Sequence, residues 1–246
     1  MSAAPNAAGA RPALPQVLAF DVFGTVVDWH GSVAREVAAL LPEVDAAAFA
    51  RDWRALYVPA MQRVARGELG WTRLDDLHRM NLDALLARHG ITRLDEAQRA
   101  HLNRAWHRLD PWPDVVAGLT RLKGRRVICT LSNGNIALLT HMARYGGLPW
   151  DCILSAEVFR AYKPAAAAYL GVAEVFGLAP GQVMLVAAHH DDLAAARACG
   201  LQTAYIERPA EFGADRPKDV SPVADNTWHA RDFLHLAEQF DRFEHS

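Results

Sequence analysis

Five short runs of apolar residues constrain the fold of this sequence more than any other feature. They occupy residues 17–22, 126–131, 152–156, 183–188 and 202–206, and each is almost continuously apolar. Runs of this length without alternation are typical of strands that are covered on both faces. Helical patterns at residues 136–145, 165–176 and 192–199 separate the later runs. The alternation predicts an α/β fold with a doubly wound parallel sheet, in which helices connect successive strands.

The first and second runs are separated by roughly a hundred residues, far more than a crossover between strands needs. This stretch carries amphipathic helical patterns near residues 32–41, 46–66, 73–89 and 94–109, punctuated by proline and glycine. We therefore predict a helical cap over residues 30–110, inserted into a Rossmann-like catalytic core formed by residues 15–29 and 111–246. Residues 1–14, rich in alanine and proline, are expected to form a disordered tail.

The C-terminal part of the chain gives weaker signals. Residues 207–226 contain Pro209, Pro217 and Pro222, and we interpret this stretch as a surface loop. Residues 227–243 have the pattern of a helix that closes the fold.

Composition argues against several classes of protein. Of the 246 residues, 51% are hydrophobic and 22% are charged, and the net charge is −2, which is typical of a globular protein that does not bind nucleic acid. No apolar run approaches membrane-spanning length, and the N-terminus lacks the pattern of a signal peptide. The three cysteines, Cys129, Cys152 and Cys199, form neither a disulfide framework nor a zinc motif. We expect a cytoplasmic protein without a nucleic-acid or membrane partner.

Polar side chains follow four of the predicted strands, at the edge where ligands bind in an open parallel sheet. They are Asp21, Ser132, Asn133, Lys163, His189, Asp191 and Asp192. A single polar residue at a strand end is usually a solvated turn or a helix cap. Because four strand ends supply such groups at one edge, the pattern favours a binding or catalytic site.

Asp21 ends the first strand, where a buried carboxylate is costly unless it is paired or hydrogen-bonded. It can cap the following turn, or it can act as a nucleophile that forms a covalent ester. Gly24 would allow a tight turn, and the Thr25 hydroxyl could hydrogen-bond the carboxylate. Lys163 is either a solvated lysine or a cation that keeps Asp21 ionised and pairs with Asp192.

Four motifs in this order resemble those of the haloacid dehalogenase superfamily. They are Phe20-Asp21-Val22-Phe23-Gly24-Thr25-Val26, Leu131-Ser132-Asn133-Gly134, Tyr162-Lys163-Pro164 and His190-Asp191-Asp192, and together they cover nearly the whole chain past the tail. Phosphatases of that superfamily carry magnesium-binding acids where this chain has Phe23 and Ala188, so a hard cation would find a poor site here. The aromatic-Gly-Thr sequence instead resembles type II 2-haloacid dehalogenases, which use neither a metal nor a cofactor.

The resemblance implies a reaction and a set of residues. A small 2-haloalkanoic acid would be hydrolysed to a 2-hydroxy acid through an ester on Asp21, and the enzyme would be a homodimer. The halide would leave toward Arg54 and Asn133, since Trp53-Arg54 matches the Trp-Arg pair of the family's cap helix. Ser132 would hold the substrate carboxylate. Phe23, Thr25 and Tyr169 would complete the substrate and halide site, with core packing as the alternative for Tyr169.

The fourth motif departs from that of family members that release chloride. Ala187 replaces a serine, His189 an asparagine and Asp191 an aromatic residue. His189 is expected to position or deprotonate the hydrolytic water. Since members with a histidine here include some that resemble fluoroacetate defluorinases, fluoroacetate is a candidate substrate. The roles of His190 and Asp191 stay open.

Two other functions are alternatives. A magnesium-dependent phosphatase of small molecules is disfavoured by Phe23 and Ala188. A non-catalytic binding protein on this fold is disfavoured because Asp21, Lys163 and Asp192 are all present.

Overall fold

A computed structural model of the chain describes residues 13–246, and within that range six parallel strands form one central sheet. The strands of the chain are β1 (Val17–Phe20), β2 (Val27–Asp28), β3 (Asp110–Pro111), β4 (Val127–Ser132), β5 (Cys152–Ser155), β6 (Val183–Ala187), β7 (Gln202–Ile206) and β8 (Trp228–Ala230). The order in the sheet is β5-β4-β1-β6-β7-β8. The predicted doubly wound α/β fold is confirmed. The predicted tail, residues 1–14, lies outside the described residues except for its last two.

Strand β1 lies at the centre of the sheet, and this placement decides where the site forms. Val17 is in register with Val127 of β4 and with Val183 of β6, and all four residues of β1 are buried. The run is apolar throughout because both faces of the strand are covered. The residue that follows Phe20 therefore emerges at the middle of the carboxyl edge of the sheet.

Helices cover the sheet and fill the long interval between β2 and β3. They are α1 (Trp29–Leu40), α2 (Ala46–Ala55), α3 (Tyr57–Ala65), α4 (Leu74–Arg88), α5 (Glu96–Asn103), α6 (Val115–Lys123), α7 (Ile136–Gly146), α8 (Ala156–Phe159), α9 (Ala166–Phe176), α10 (His190–Ala198) and α11 (Phe233–Glu244), with 3₁₀ turns at Arg104–His107 and Pro180–Gln182. We call residues 29–107, which contain α1 to α5, the helical insertion. It leaves and rejoins the sheet through the antiparallel pair β2–β3.

Aspartates mark the starts of three helices in the insertion. Asp28 accepts a hydrogen bond from the Gly31 amide at 2.8 Å, and Asp45 accepts one from Ala48 at 3.0 Å. Asp95 forms a capping box with Gln98 at the start of α5. Each cap satisfies amides that the first turn of a helix leaves unpaired.

The pattern predicted over residues 46–66 forms two helices rather than one. Helix α2 ends at Ala55, and α3 begins at Tyr57. The reason is Pro59, which lacks an N–H and whose ring would clash with the carbonyl of Ala55 in a continuous helix. In the first turn of α3 the same residue is tolerated, because amides there have no helical partner.

The prediction of a helix over residues 227–243 was wrong at its start. Trp228–Ala230 forms the edge strand β8 beside β7, and α11 begins only after Asp232. Asp232 accepts a hydrogen bond from the His235 amide at 2.7 Å and so caps that helix. Three residues are too few to show an alternating pattern, which is why the strand was missed. Helix α6 was also not predicted.

No helix among the described residues is long and apolar enough to cross a membrane. The insertion instead buries its largest side chains against the carboxyl edge of the sheet. Trp29, Trp53 and Trp106 are each at most 1% exposed, and Trp53 meets Trp106 edge to face at 5.5 Å. Aromatic packing thus holds the helices over the sheet edge where the polar residues emerge.

Candidate active site

A cavity of about 480 Å³ lies between the carboxyl edge of the sheet and the helical insertion. Residues from both parts line it, among them Asp21, Asn133, Lys163, Tyr169, His189, Asp191 and Asp192 from the sheet side and Arg54, Tyr57 and Met61 from the insertion. Eight of the ten side chains predicted for the site line this cavity, and the exceptions are Thr25 and Ser132.

The Asp21 carboxylate is buried and holds three hydrogen bonds. Its Oδ2 accepts from the Thr25 hydroxyl at 2.7 Å and from Nδ1 of His189 at 3.1 Å, and its Oδ1 accepts from Nζ of Lys163 at 3.0 Å. Burial alone would raise the pKa of Asp21, but the charges of Lys163 and His189 and these hydrogen bonds hold that pKa well below its usual range. Asp21 is therefore an ionised, oriented carboxylate, as a nucleophile must be.

The turn after Asp21 fixes its side chain from behind. Thr25 is fully buried, and its hydroxyl accepts from the Ala188 amide at 2.9 Å while donating to Asp21. Thr25 therefore orients the carboxylate and does not reach the cavity, so its predicted contact with substrate is corrected. Gly24 has a φ of +83°, and a Cβ at that position would overlap the carboxylate of Glu211. The turn thus requires glycine for both conformation and space.

Lys163 bridges two carboxylates, as predicted. Its Nζ lies 3.0 Å from Oδ1 of Asp21 and 2.5 Å from Oδ2 of Asp192. Burial would lower the pKa of Lys163, but the two carboxylates outweigh it and raise the pKa above the usual range. Asn133 Oδ1 accepts from the Lys163 amide at 2.7 Å, which ties the end of β4 to this lysine. Lys163 thus stays charged and fixed in place.

Asp192 receives a second donor from Tyr169. The Tyr169 hydroxyl lies 2.6 Å from Oδ1 of Asp192, so the tyrosine is both an element of the core and a partner of the site. Burial raises the pKa of Asp192, although Lys163 acts against this shift. An aspartate with a raised pKa accepts a proton more readily than an ordinary surface aspartate.

His189 has a carboxylate at each ring nitrogen. Nδ1 lies 3.1 Å from Oδ2 of Asp21, and Nε2 lies 2.8 Å from Oε1 of Glu211. Burial opposes protonation, but the two carboxylates prevail and raise the pKa of His189 to about 9. The ring is therefore an imidazolium at neutral pH that donates from both nitrogens. This arrangement supports the predicted orienting role of His189 and disfavours the deprotonating one.

Glu211 and Lys218, which sequence analysis missed, extend this chain of charges. Glu211 is 1% exposed, and its Oε2 accepts from Nζ of Lys218 at 2.7 Å, while Lys218 also donates to the Ala188 carbonyl. His189 and Lys218 lower the pKa of Glu211 to about 2 against the effect of burial. Both residues lie in the loop after β7, so the carboxyl-end rule applied to the last predicted strand would have pointed to them.

Arg54 faces the cavity without a carboxylate partner. Its guanidinium carbon lies 3.9 Å from the centroid of the Tyr57 ring and 5.7 Å from that of Trp29. Within residues 13–246, no carboxylate oxygen lies within 4.0 Å of a nitrogen of the Arg54 guanidinium. A partly buried guanidinium that rests on aromatic faces is suited to accept an anion from the cavity.

The end of β4 differs from the prediction at one residue. Ser132 is fully buried and absent from the cavity wall, and its Oγ accepts from the Gly134 amide at 3.1 Å. Its predicted contact with the substrate carboxylate is therefore corrected to a role in shaping the turn. Asn133 does line the cavity, with Nδ2 3.3 Å from Sδ of Met61. The amide of Asn133 is thus the polar group that β4 offers to a ligand.

The positions where magnesium-dependent phosphatases would carry acids do not suit a cation. Phe23 forms part of the cavity wall, and its ring meets Trp106 edge to face at 6.0 Å. Ala188 is fully buried. Across the described part of the chain, no group of three or more His, Cys, Asp or Glu side chains is arranged to hold a metal ion.

The remaining residues of the fourth motif point in different directions. Asp191 is exposed at the mouth of the cavity, whereas His190 stacks on Tyr205 with ring centroids 4.0 Å apart. His190 is therefore outside the site.

Comparison with known proteins gives a consistent result. The family model described as haloacid dehalogenase-like hydrolase matches residues 15–200. An (S)-2-haloacid dehalogenase from Xanthobacter autotrophicus is 30% identical over 203 residues, which cover 78% of this chain and 75% of that protein. Among solved structures, a defluorinating L-2-haloacid dehalogenase is 47% identical with a TM-score of 0.89, covering 92% of this chain and 95% of that one. A second L-2-haloacid dehalogenase is 45% identical with a TM-score of 0.87, covering 93% and 100%.

Proposed function

Because this chain belongs to the haloacid dehalogenase-like hydrolase family, we propose that it hydrolyses small 2-haloalkanoic acids to 2-hydroxy acids through an ester on Asp21. The observation that carries this proposal is an ionised carboxylate that shares its cavity with the guanidinium of Arg54, which pairs with no carboxylate among the described residues. The first group can attack a carbon that bears a halogen, and the second can receive the halide. The relatives named as 2-haloacid dehalogenases support the same chemistry.

The first step is an in-line displacement at the carbon that bears the halogen. Oδ1 of Asp21 accepts only the hydrogen bond from Lys163, so it keeps a lone pair for attack, whereas Oδ2 is held by two donors. The new bond joins Oδ1 to the substrate carbon as the carbon–halogen bond breaks. Arg54 and the Asn133 amide stabilise the departing halide. Attack from the face opposite the halogen inverts the configuration at that carbon.

The second step is hydrolysis of the ester. Water attacks Cγ of Asp21, and Asp192, which burial makes more basic and which Lys163 holds in place, takes the proton. Cleavage of the bond between Cγ and the ester oxygen releases the 2-hydroxy acid, whose oxygen takes the proton from Asp192. Loss of the second water proton to solvent restores the Asp21 carboxylate, with one oxygen from water. The helical insertion covers the cavity and excludes bulk water from the ester.

Fluoroacetate is included among the proposed substrates. The support is the 47% identity to a solved dehalogenase described as defluorinating. Fluoride is a small anion that accepts strong hydrogen bonds, and a guanidinium that no described carboxylate pairs is a suitable receptor for it.

The test is halide release by purified protein in EDTA from (S)- and (R)-2-chloropropionate and from fluoroacetate. Asp21→Asn should lower halide release by roughly 10⁴-fold or more, because an amide oxygen is a poor nucleophile. Asp52→Asn, at an exposed aspartate of α2, is the control and should keep normal activity.

Two outcomes would redirect the assignment. Release of phosphate from p-nitrophenyl phosphate only with added magnesium would favour the phosphatase alternative. Binding of 2-haloacids without halide release, and indifference to Asp21→Asn, would favour a non-catalytic binding protein.

The homodimer and the cytoplasmic location stay predictions. The first is proposed from the resemblance to the family, and the second from the scattered cysteines and the N-terminal sequence pattern. Sedimentation equilibrium at micromolar concentration would test the first, and fractionation of cells that express the chain would test the second.

A further inference from the structure

The two oxygens of Asp21 are surrounded differently, and this difference matters after the ester has formed. Oδ2 receives the Thr25 hydroxyl at 2.7 Å and Nδ1 of His189 at 3.1 Å. If Oδ1 carries the alkyl group, Oδ2 is the carbonyl oxygen of the ester. When water adds to Cγ, negative charge develops on that oxygen, and both donors already face it.

We propose that His189 acts as a protonated donor that stabilises the oxyanion on Oδ2 during ester hydrolysis, and that Glu211 is the positioning residue that holds this imidazolium. This inference rests on the proposed function, since it concerns the second step of the same reaction. His189 touches a reacting atom, whereas Glu211 acts only through His189.

Glu211 is built into the fold as a fixed anion. Its Oε1 accepts from Nε2 of His189 at 2.8 Å and from Nε1 of Trp29 at 3.4 Å, and its Oε2 accepts from Lys218 at 2.7 Å. The carboxylate also occupies the space that a side chain at residue 24 would need. With partners on both oxygens and 1% exposure, it has no room to turn away from His189.

The balance of charge around His189 changes during the reaction. In the free enzyme the carboxylates of Asp21 and Glu211 contact its ring. Lys163 pairs with Asp21 and also with Asp192, and Lys218 pairs with Glu211. Ester formation removes the charge of Asp21. Glu211 is then the one carboxylate, among the described residues, that still contacts the ring. The charge of the imidazolium in the intermediate therefore depends on Glu211.

The step balances without a proton from His189. The water oxygen bonds to Cγ, the carbonyl electron pair moves to Oδ2, and the water proton goes to Asp192. Collapse restores the carbonyl and breaks the bond to the ester oxygen, which takes the proton back from Asp192 as the hydroxyl of the product. The second proton of the water, left on the new oxygen of Asp21, passes to solvent, so that the carboxylate is restored. His189 keeps both of its protons and only strengthens its hydrogen bond to Oδ2.

The alternative role, a neutral His189 that deprotonates water, predicts the opposite dependence on pH. A base gains activity as it loses its proton, so kcat would rise through the pKa of His189. A donor loses activity as it loses its proton, so kcat would fall through that pKa, which is about 9 in the free enzyme and lower once Asp21 is esterified.

The experiment compares Glu211→Gln with the wild type in rapid-mix halide release and in steady-state kcat over a range of pH. We expect Glu211→Gln to release one halide per active site in the first turnover, as the wild type does. Its kcat should fall by about 10²–10³-fold, which is typical for loss of one oxyanion donor, and its alkaline limb should move to lower pH. The ester should accumulate and be visible as added mass on the peptide that contains Asp21.

Glu207→Gln is the matched control. Glu207 follows β7, pairs with Nε2 of His229 at 2.7 Å and is absent from the cavity wall, so this variant should keep the kcat and pH profile of the wild type. Glu211→Asp keeps the negative charge, so the fall of its kcat at alkaline pH should lie between those of Glu211→Gln and the wild type. A merely structural Glu211 would lower stability without moving that limb.

Three results would overturn the inference. They are an unchanged kcat in Glu211→Gln, a kcat that rises with pH through the histidine transition, and loss of the first-turnover burst in the variant alone. If the variant does not fold, ¹⁵N NMR of His189 in the wild type decides, since a neutral ring at pH 7 contradicts the proposal and an imidazolium supports it. Absence of any halide release by the wild type would instead refute the proposed function itself.

Discussion

The two walls of the cavity handle charge in opposite ways. On the sheet side, Asp21, Lys163 and Asp192 compensate one another at hydrogen-bond distance. On the insertion side, Arg54 rests on the rings of Tyr57 and Trp29 without a counter-ion from the described residues. Groups that keep their charge between turnovers are paired, whereas the group that must take an anion from outside is left unpaired. The sheet side thus keeps the Asp21 carboxylate ionised, and the insertion side provides a cation that can bind the departing halide.

This difference predicts different consequences when a charge is removed. Removing one member of a buried ion pair leaves its partner uncompensated, which typically costs several kcal/mol of stability. Removing an unpaired cation leaves no such charge behind. Removing a charge on the sheet side should therefore lower the stability of the fold, whereas removing the charge of Arg54 should lower catalysis alone.

The largest effect on stability is expected for Lys163→Met. Both Asp21 and Asp192 would lose their buried cation, and the free energy of unfolding should fall by about 3–5 kcal/mol. Urea unfolding followed by circular dichroism at pH 7 measures this. Lys123→Met is the control, because Lys123 pairs with Asp151 at the surface and should contribute less than about 1 kcal/mol. A loss below 1 kcal/mol for Lys163→Met would show that the sheet side is not the compensated network described above.

Arg54→Met should separate activity from stability. We expect kcat for halide release to fall by about 10²–10³-fold, while the free energy of unfolding changes by less than about 1 kcal/mol. Steady-state halide assays and urea unfolding of the same preparation measure both. The control is Arg63→Met on α3, since Arg63 pairs at the surface with Glu68. A normal kcat for Arg54→Met would mean that the halide does not leave toward Arg54, and the two walls of the cavity would then not differ in the way described above.

The smallest effect is expected for Ser132→Ala. The hydroxyl holds the Gly134 amide rather than the cavity, so stability should fall by about 0.5–1.5 kcal/mol and kcat should stay within roughly threefold. Asn133→Ala, at the neighbouring residue that does line the cavity, should lower kcat further. A large loss of kcat in Ser132→Ala would restore the substrate role that the motif alone suggested.

Sequence analysis brought together the residues that line the cavity where it could use strand ends. The apolar runs placed Asp21, Lys163 and Asp192 at one edge, because parallel strands present their carboxyl ends together. The motif did not distinguish Ser132 from Asn133. Ser132 is the last residue of β4 and is fully buried, whereas Asn133 follows the strand and lines the cavity, and the order of two polar residues at a strand end does not say which one the turn will bury.

The carboxyl-end rule points to the loop after β7, but the sequence does not say which residues of that loop contact the site. Glu211 lies in a loop without a periodic pattern, and its burial depends on His189 and Lys218. Strand β8 has three residues, and its pairing with β7 gives no local signal. Such features arise when segments far apart in the chain meet, and no local pattern encodes that meeting.

The space at Gly24 has a consequence for how this protein can change. A side chain there would overlap the Glu211 carboxylate, so the effect of a substitution at residue 24 depends on what residue 211 is. Shortening Glu211 first would make room, but it would also take away the partner of His189. The two positions are therefore coupled through this shared space, and neither order of substitution offers a neutral first step. Libraries that vary the nucleophile turn alone should therefore return glycine at residue 24, and libraries that vary residues 24, 189 and 211 together should still favour it, since the positive φ remains.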